Sequence, residues 1–176
     1  LVEVRPSIKN LQEFFGLTPY RATTLVRALY RFADEVVGCS NGTARQVAQV
    51  MGCLPNRVKT IYNPVITPEL IEKAKAPVEH PWFQHNQPPV ILATGRLVEQ
   101  KDFPMLIQAF AQVKHLKSSR LMILGTGPDR PHLEALIRQF GLELDVSMPG
   151  FVENPYSYMA KSAVFVMSSI WEGLGN

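Results

Sequence analysis

From residue 90 onward the apolar positions come in short blocks. Each block is followed by a polar loop and then by a stretch with helical spacing. Val90-Ile-Leu-Ala-Thr94 predicts a buried strand, 95–103 a polar loop, and 104–115 a helix with Pro104 in its first turn. The cycle repeats as a strand at 121–124, a loop at 125–129 and a helix at 131–140 stopped by Gly141. A third strand at 146–148, a short helix at 155–161 and a buried strand at 163–167 follow. Strands of this kind alternating with amphipathic helices predict an α/β fold, a parallel sheet with helices on both faces. Such sheets take ligands at the carboxyl ends of their strands. The loops after Thr94, Leu124, Met148 and Met167 are therefore the candidate site.

The first third of the chain has a different rhythm. Leu25, Leu29 and Phe32 stand at i, i+4 and i+7, which predicts an amphipathic helix over 20–32. A short buried strand at 35–40 ends at Ser40, a cap for a helix over 43–51 that Gly52 stops. Val58 and Thr60 alternate with Lys59 and Ile61 in a strand over 57–62, broken by Asn63-Pro64. Between 67 and 89 five prolines (Pro68, Pro77, Pro81, Pro88, Pro89) interrupt any sustained period. One short helix at 68–76 and otherwise an extended connector are expected there. This is the best domain boundary in the sequence.

Composition narrows the class. A hydrophobic share of 46% over 176 residues is globular, with room for one ordinary domain or two small ones. No apolar run approaches the roughly 18 to 20 residues that cross a bilayer, and no signal-peptide pattern opens the chain. It starts Leu-Val-Glu and stops at Gly175-Asn176 in an open loop, so it reads as a fragment. Cys39 and Cys53 fit neither a zinc site nor a disulfide framework, and reduced thiols in a cytoplasmic protein are expected. His80, His85, His115 and His132 are scattered, so no metal site is expected.

Residues 1–75 carry ten Lys and Arg against six acids, and residues 76–176 carry eight against nine. The basic residues are not clustered and lack interleaved aromatics, which speaks against nucleic acid as a partner. The excess in the first part is either screened surface charge or a face toward something anionic.

Three loops carry candidate chemistry. In the first, Gly95-Arg96-Leu-Val-Glu-Gln-Lys101-Asp102, a guanidinium and an ammonium stand five positions apart, after a glycine that lets a ligand approach. Such a pair could neutralise a diphosphate, or could be solvated and paired with Glu99 and Asp102. The second, Gly125-Thr-Gly127-Pro-Asp-Arg130, shares two glycines with dinucleotide loops but has Arg130 in place of the third. It is either a ligand turn with exposed amides or a plain strand-to-helix turn. The third places Glu172 before Gly173-Leu-Gly-Asn176, where a carboxylate could accept bonds from sugar hydroxyls or simply face solvent.

In order and spacing, these loops resemble one family. Gly95-Arg96-Leu with Lys101-Asp-Phe103, Leu124-Gly-Thr-Gly-Pro128, Pro149-Gly-Phe-Val152 and Ser169-Ile-Trp-Glu-Gly-Leu-Gly-Asn176 resemble the nucleotide-sugar half of the family 4 (group 1) retaining glycosyltransferases. Ala33-Asp-Glu-Val-Val-Gly-Cys-Ser40 and Val58-Lys-Thr-Ile-Tyr-Asn-Pro64 resemble, more weakly, the end of that family's first domain. The resemblance implies the GT-B architecture of two Rossmann-like domains, here truncated. Residues 1–66 would close the first, acceptor-side domain, 67–89 would be the interdomain linker, and 90–176 the first half of the donor domain.

The family also implies roles. Arg96 and Lys101 match residues that hold the donor diphosphate and stabilise it as it leaves. Glu172 matches the first glutamate of the E-x7-E motif, on the donor sugar. Gly173, Leu174, Gly175 and Asn176 match the loop whose backbone meets sugar and phosphates. Phe151 and Val152 match the strand end beside the nucleobase, and Gly125 and Gly127 the neighbouring glycine turn; Gly95, in the first loop, is a further substrate-binding candidate. The implied activity is transfer of a sugar, with retention, from a nucleotide-sugar donor, commonly UDP-linked. The acceptor would be a sugar or a lipid-linked glycan in polysaccharide or glycolipid synthesis.

No metal and no cofactor are expected, since the chain has no Asp-x-Asp motif. The second glutamate of E-x7-E and the acceptor loop lie outside this sequence, so the fragment alone is expected to be inactive. The alternatives are a nucleotide- or phosphosugar-binding module without transfer, an NAD-linked Rossmann enzyme, and a membrane-surface protein. The last draws on Arg21, Arg27 and Arg31 around the predicted first helix. That helix either turns Leu25, Leu29 and Phe32 into a core or makes a peripheral contact with the inner membrane face.

Overall fold

The computed structural model describes residues 2–3, 19–30 and 32–172. The chain divides into two compact units, the first within Leu1–Val65 and joined by Glu172–Asn176, the second Ile66–Trp171.

The first unit holds a parallel sheet of β1 (Val2–Glu3), β2 (Val36–Gly38) and β3 (Val58–Thr60), in that order, with α1 (Pro19–Tyr30) and α2 (Asn41–Met51). Ser40 caps α2 as its spacing predicts, its hydroxyl accepting the Thr43 N–H at 3.1 Å. Gly52 ends the helix in the left-handed region, at φ 67°. Val36, Ala44, Val47, Ala48 and Val58 form the core, with Tyr30, Ala33, Met51 and Cys53 packed against it. A Cβ on Gly38 would lie 2.7 Å from the Ala44 nitrogen, so this glycine is what lets α2 sit down on the sheet.

The apolar stripe predicted for the first helix does not join that core. Leu25, Leu29 and Phe32 are exposed, Phe32 at 80%, while Tyr30 makes the core contact. Burial of Tyr30 raises its pKa. Arg27 is committed to the fold: its Nε donates to the Val50 carbonyl at 2.6 Å, in the last turn of α2 where carbonyls lack helical partners. Arg31 lies outside the described residues, and of Arg21 only the backbone is described. Among the described residues no helix is long and apolar enough to cross a membrane.

The second unit is built on β4 (Val90–Thr94), β5 (Arg120–Leu124), β6 (Val146–Gly150) and β7 (Val164–Phe165), all parallel in the order β6-β5-β4-β7. Its helices are α3 (Pro68–Lys75), α4 (Phe103–Leu116), α5 (Arg130–Gln139) and α6 (Pro155–Lys161). Alternation along the strands sorts the core into two faces. Ile91, Ala93, Leu121, Ile123 and Val146 meet α4 and α5 through Phe103, Leu106, Ile107, Phe110, Leu133 and Ile137. Val90, Leu92, Met122 and Leu124 meet Trp82, Phe83, Val152, Tyr158 and Met159.

Two expectations change here. The segment over 67–89 contains the short helix expected of it, started by the Thr67 hydroxyl accepting the Leu70 N–H at 3.3 Å. The segment is nevertheless not an extended connector. Helix α3 packs on α6, the Asn154 side-chain amide donates to the Lys73 carbonyl at 2.8 Å, and Trp82 and Phe83 cover the sheet. The physical reason is that Val90, Leu92, Met122 and Leu124 present an apolar surface that the local helices α4 and α5, on the other face, cannot reach. The last strand is also shorter than expected and is not buried, with Val164 and Phe165 both exposed. Among the described residues it pairs with β4 alone, at the edge of the sheet.

Candidate functional site

The carboxyl ends of β4, β5 and β6 converge on one cleft of about 470 Å³. Thr94, Gly95 and Arg96 line it from the first strand end, Leu124, Gly125, Thr126 and Gly127 from the second, and Phe151, Val152 and Pro155 from the third. Six of the residues expected from sequence are thereby brought to one place: Gly95, Arg96, Gly125, Gly127, Phe151 and Val152. Thr94, Leu124, Thr126 and Pro155 complete the lining and are not among the expected site residues. Their signal was position alone, since each is next to a strand end or a glycine turn.

The two glycine turns are packed backbone on backbone. Gly95 N–H donates to the Leu124 carbonyl at 2.9 Å, Leu97 N–H to Thr126 at 2.9 Å, and Asp129 N–H to Leu97 at 3.1 Å. A Cβ on Gly125 would lie 1.9 Å from the Gly95 oxygen, and one on Gly127 would lie 2.2 Å from the Leu97 oxygen. Gly125 also sits at φ 135°, where side chains are rarely tolerated. These glycines therefore bring the first two loops together. Their amides are not simply exposed, because Gly125 N–H is already given to the Gly150 carbonyl at 2.8 Å. Leu97, between the two cations in sequence, anchors the pair of loops at 0% exposure.

Arg96 is exposed at the cleft and has no ion-pair partner among the described residues. Lys101 closes a one-turn 3-10 helix, Glu99–Lys101, inside the segment expected to be plain loop. Its aliphatic stem lies on Gly95, where an added Cβ would approach Lys101 Cε to 3.1 Å. Thus the stem of the second cation passes over the same glycine that lines the cleft beside the first. Asp102 takes the left-handed conformation, φ 45°, and its carboxylate accepts the Met105 N–H at 3.3 Å, starting α4. Its carboxylate is thereby engaged as a helix cap.

Arg130, at the place of a third glycine, is structural. Its Nε donates to Glu134 at 2.8 Å and its Nη2 to the Met148 carbonyl at 2.9 Å, tying the start of α5 to β6. A bulky, engaged arginine there leaves no close helix–strand approach of the kind a dinucleotide fingerprint needs. Phe151 stands 76% exposed on the cleft, an aromatic surface in the lining that also holds Arg96. Glu172 is half-buried and is not among the residues lining the cleft. Gly173, Leu174, Gly175 and Asn176 lie outside the described residues.

Comparison with known proteins agrees with this geometry. Residues 88–176 match the family described as Glycosyl transferases group 1. The N-acetylgalactosamine-N,N'-diacetylbacillosaminyl-diphospho-undecaprenol 4-alpha-N-acetylgalactosaminyltransferase of Campylobacter jejuni is 33% identical over 152 residues, covering 86% of this chain and 40% of that protein. The lipopolysaccharide core biosynthesis glycosyltransferase LpsE of Rhizobium meliloti is 31% identical over 174 residues, covering 99% of this chain and 48% of that protein. The chain thus spans less than half the length of either relative. Among solved structures, Anabaena HepE in complex with UDP-glucose superposes with a TM-score of 0.69 at 25% identity, over 93% of this chain and 46% of that one. Staphylococcus aureus TarM superposes with a TM-score of 0.68 at 17% identity, over 88% of this chain and 29% of that one, which speaks for the fold. With loops, parallel sheets and relatives in agreement, the chain belongs to the group 1 glycosyltransferases, whose GT-B fold it shares in part.

Proposed function

We propose that this chain carries the donor-binding cleft of a retaining hexosyltransferase that uses a nucleotide-sugar, UDP-linked, as donor. The observation that carries the reading is the cleft at three strand ends. It holds an exposed Arg96 that has no ion-pair partner among the described residues, beside Gly95, which the Lys101 stem crosses, and an exposed Phe151. Arg96 and Lys101 would face the diphosphate, Phe151 and Val152 the base. Glu172 with Gly173, Leu174, Gly175 and Asn176 would meet the sugar. Gly95, Gly125 and Gly127 would shape the turn against which the phosphates lie.

In the reaction the anomeric carbon's bond to the diphosphate breaks, with the electron pair leaving on the phosphate oxygen. The acceptor hydroxyl, on a sugar or a lipid-linked glycan, bonds to that carbon and gives up its proton to the departing diphosphate oxygen, which leaves with the nucleotide. Negative charge grows on the leaving group as the bond lengthens. Fixed cations there stabilise the transition state more than the bound donor, which is the condition for raising turnover. A guanidinium and an ammonium supply that charge without a metal or cofactor. The rest of the GT-B architecture would supply the acceptor side, in envelope polysaccharide or glycolipid synthesis. Such an enzyme would meet its acceptor at the membrane by peripheral contact.

Steady-state kinetics of the full-length enzyme test this. Arg96→Ala and Lys101→Ala should each lower kcat by roughly 10²-fold, with a smaller effect on recognition of the sugar. A chelator should leave the rate unchanged. Wild-type turnover in both variants would overturn the assignment, and binding of NAD with no response to UDP would favour a dehydrogenase-like site.

A further inference from the structure

The segment after β7 has almost no ladder of its own. Strand β7 pairs with β4 at Val164 and Phe165, and the Val166 N–H adds one bond to the Leu92 carbonyl at 2.8 Å. Beyond that, the described bonds of residues 168–171 within this unit run to the short turn Glu99–Lys101. Ser168 Oγ donates to the Lys101 carbonyl at 2.6 Å. The Ile170 N–H donates to the Gln100 carbonyl at 2.9 Å, and the Gln100 side-chain amide donates to the Trp171 carbonyl at 2.9 Å. Three bonds therefore join two segments about 70 positions apart, at two consecutive residues of the turn. The bond from Ile170 is backbone to backbone and any residue could make it. The other two need a hydroxyl at 168 and, at 100, an N–H donor with the reach of glutamine.

The turn needs this support. A single 3-10 turn leaves its carbonyls without helical partners, and Asp102 just after it holds a left-handed conformation unusual for a side chain. Ser168 and Ile170 take up the two carbonyls. The backbone that aims Lys101 is thus held by the Ser168 hydroxyl and the Ile170 N–H, and the turn's own Gln100 side chain returns a bond to the segment that leads into Glu172.

We infer that Gln100 and Ser168 are positioning residues of the donor site, stitching the Lys101 turn to the segment that precedes Glu172 so that the two are held in register. Neither touches the donor. They act through the direction of the Lys101 side chain and the placement of residue 171. The inference rests on the donor-site reading of Lys101. A 1 Å displacement of a charge facing a leaving group is enough to cost a large factor in rate.

The test is a double-mutant series in the full-length enzyme, with folding checked by thermal melting. Ser168→Ala and Gln100→Met should each lower kcat by roughly tenfold, while Ser168→Thr, which keeps the hydroxyl, should restore it. In a Lys101→Ala background, Ser168→Ala should cost at most about twofold, because the group it positions is gone. A merely structural role would give the same factor in both backgrounds, and that outcome would overturn the inference. Wild-type kcat in Ser168→Ala and Gln100→Met, alongside a slow Lys101→Ala, would overturn it too while leaving the donor site intact. Wild-type kcat in Lys101→Ala itself would remove the donor-site reading, and the positioning role with it. If Ser168→Ala melts early, calorimetric titration of the folded Gln100→Met variant with UDP decides. Weaker binding than wild type supports the stitch, and equal binding together with equal kcat rejects it.

Discussion

The two faces of the second unit's sheet are covered in different ways. On one face, α4 and α5 each follow directly on a strand and lay fully buried side chains across it. Leu97, Ile107, Leu121, Ile123 and Leu133 are all at 0% exposure. On the other, the strand residues are equally buried, but their cover comes from the short α6 and from the segment before β4, and it is only partly buried. That cover is largely aromatic. Phe83 and Tyr158 meet edge to face at 5.6 Å, His80 and Trp82 at 5.3 Å, and the Arg120 guanidinium sits 4.9 Å over the Trp82 ring. Few residues reach this face, so each covers more area. A helix that follows its strand can repeat small aliphatic contacts along its length, whereas an imported turn must do the work with rings.

The largest effect expected from this contrast is on the aliphatic face. Phe110, 2% exposed in the middle of α4, should cost about 3–5 kcal/mol on truncation to Ala, read by urea unfolding. A loss below about 1 kcal/mol would mean that the face is looser than its burial states.

A smaller loss is expected across the sheet. Trp82→Ala removes a half-buried ring together with its cation contact, and should cost about 2 kcal/mol. Arg120→Met should lose only the cation's share, about 0.5–1 kcal/mol. If Trp82→Ala leaves the unfolding midpoint unchanged, the segment over 67–89 is a passive connector after all, and the two faces do not differ as described.

The smallest effect is one of pH. Burial, and after it the Arg120 guanidinium, lowers the His80 pKa from its ordinary value. His80 Nδ1 accepts the Trp82 N–H at 3.2 Å, which only the neutral ring can do. The folded chain therefore binds this proton less readily than the unfolded chain. The stabilisation is complete above the ordinary histidine pKa and is lost as pH falls through the lowered one. Melting curves between about pH 7 and about pH 5 should show a drop that His80→Asn, which retains a cap acceptor, makes shallower. An identical slope in the variant would take His80 out of the cover.

Much of this fold is legible in the sequence. The limits of α2 follow from Ser40 and Gly52, α3 falls on the short helix expected at 68–76, and the strand at Val90–Thr94 follows from an unbroken apolar run. Caps, breakers and periodicity act over a few residues, so local sequence is enough to place them. The alternation of such elements then made the sheet parallel and its carboxyl ends the place to look, and six of the expected residues line one cleft there. What local sequence could not settle was every contact between residues distant in the chain. Gly125 and Gly127 read either as ligand glycines or as a plain strand-to-helix turn, and only the packing shows that their missing side chains admit the backbone of Gly95 and Leu97. Trp82 and Phe83 read as connector, yet they close a core. Gln100 and Ser168 carried no signal at all, because a hydrogen bond from one to the neighbourhood of the other exists only once the sheet has brought them together. Periodicity reports which side of an element is apolar. Which partner that side or that turn will meet is decided by the packing of the whole unit, and there the tertiary structure alone holds the answer.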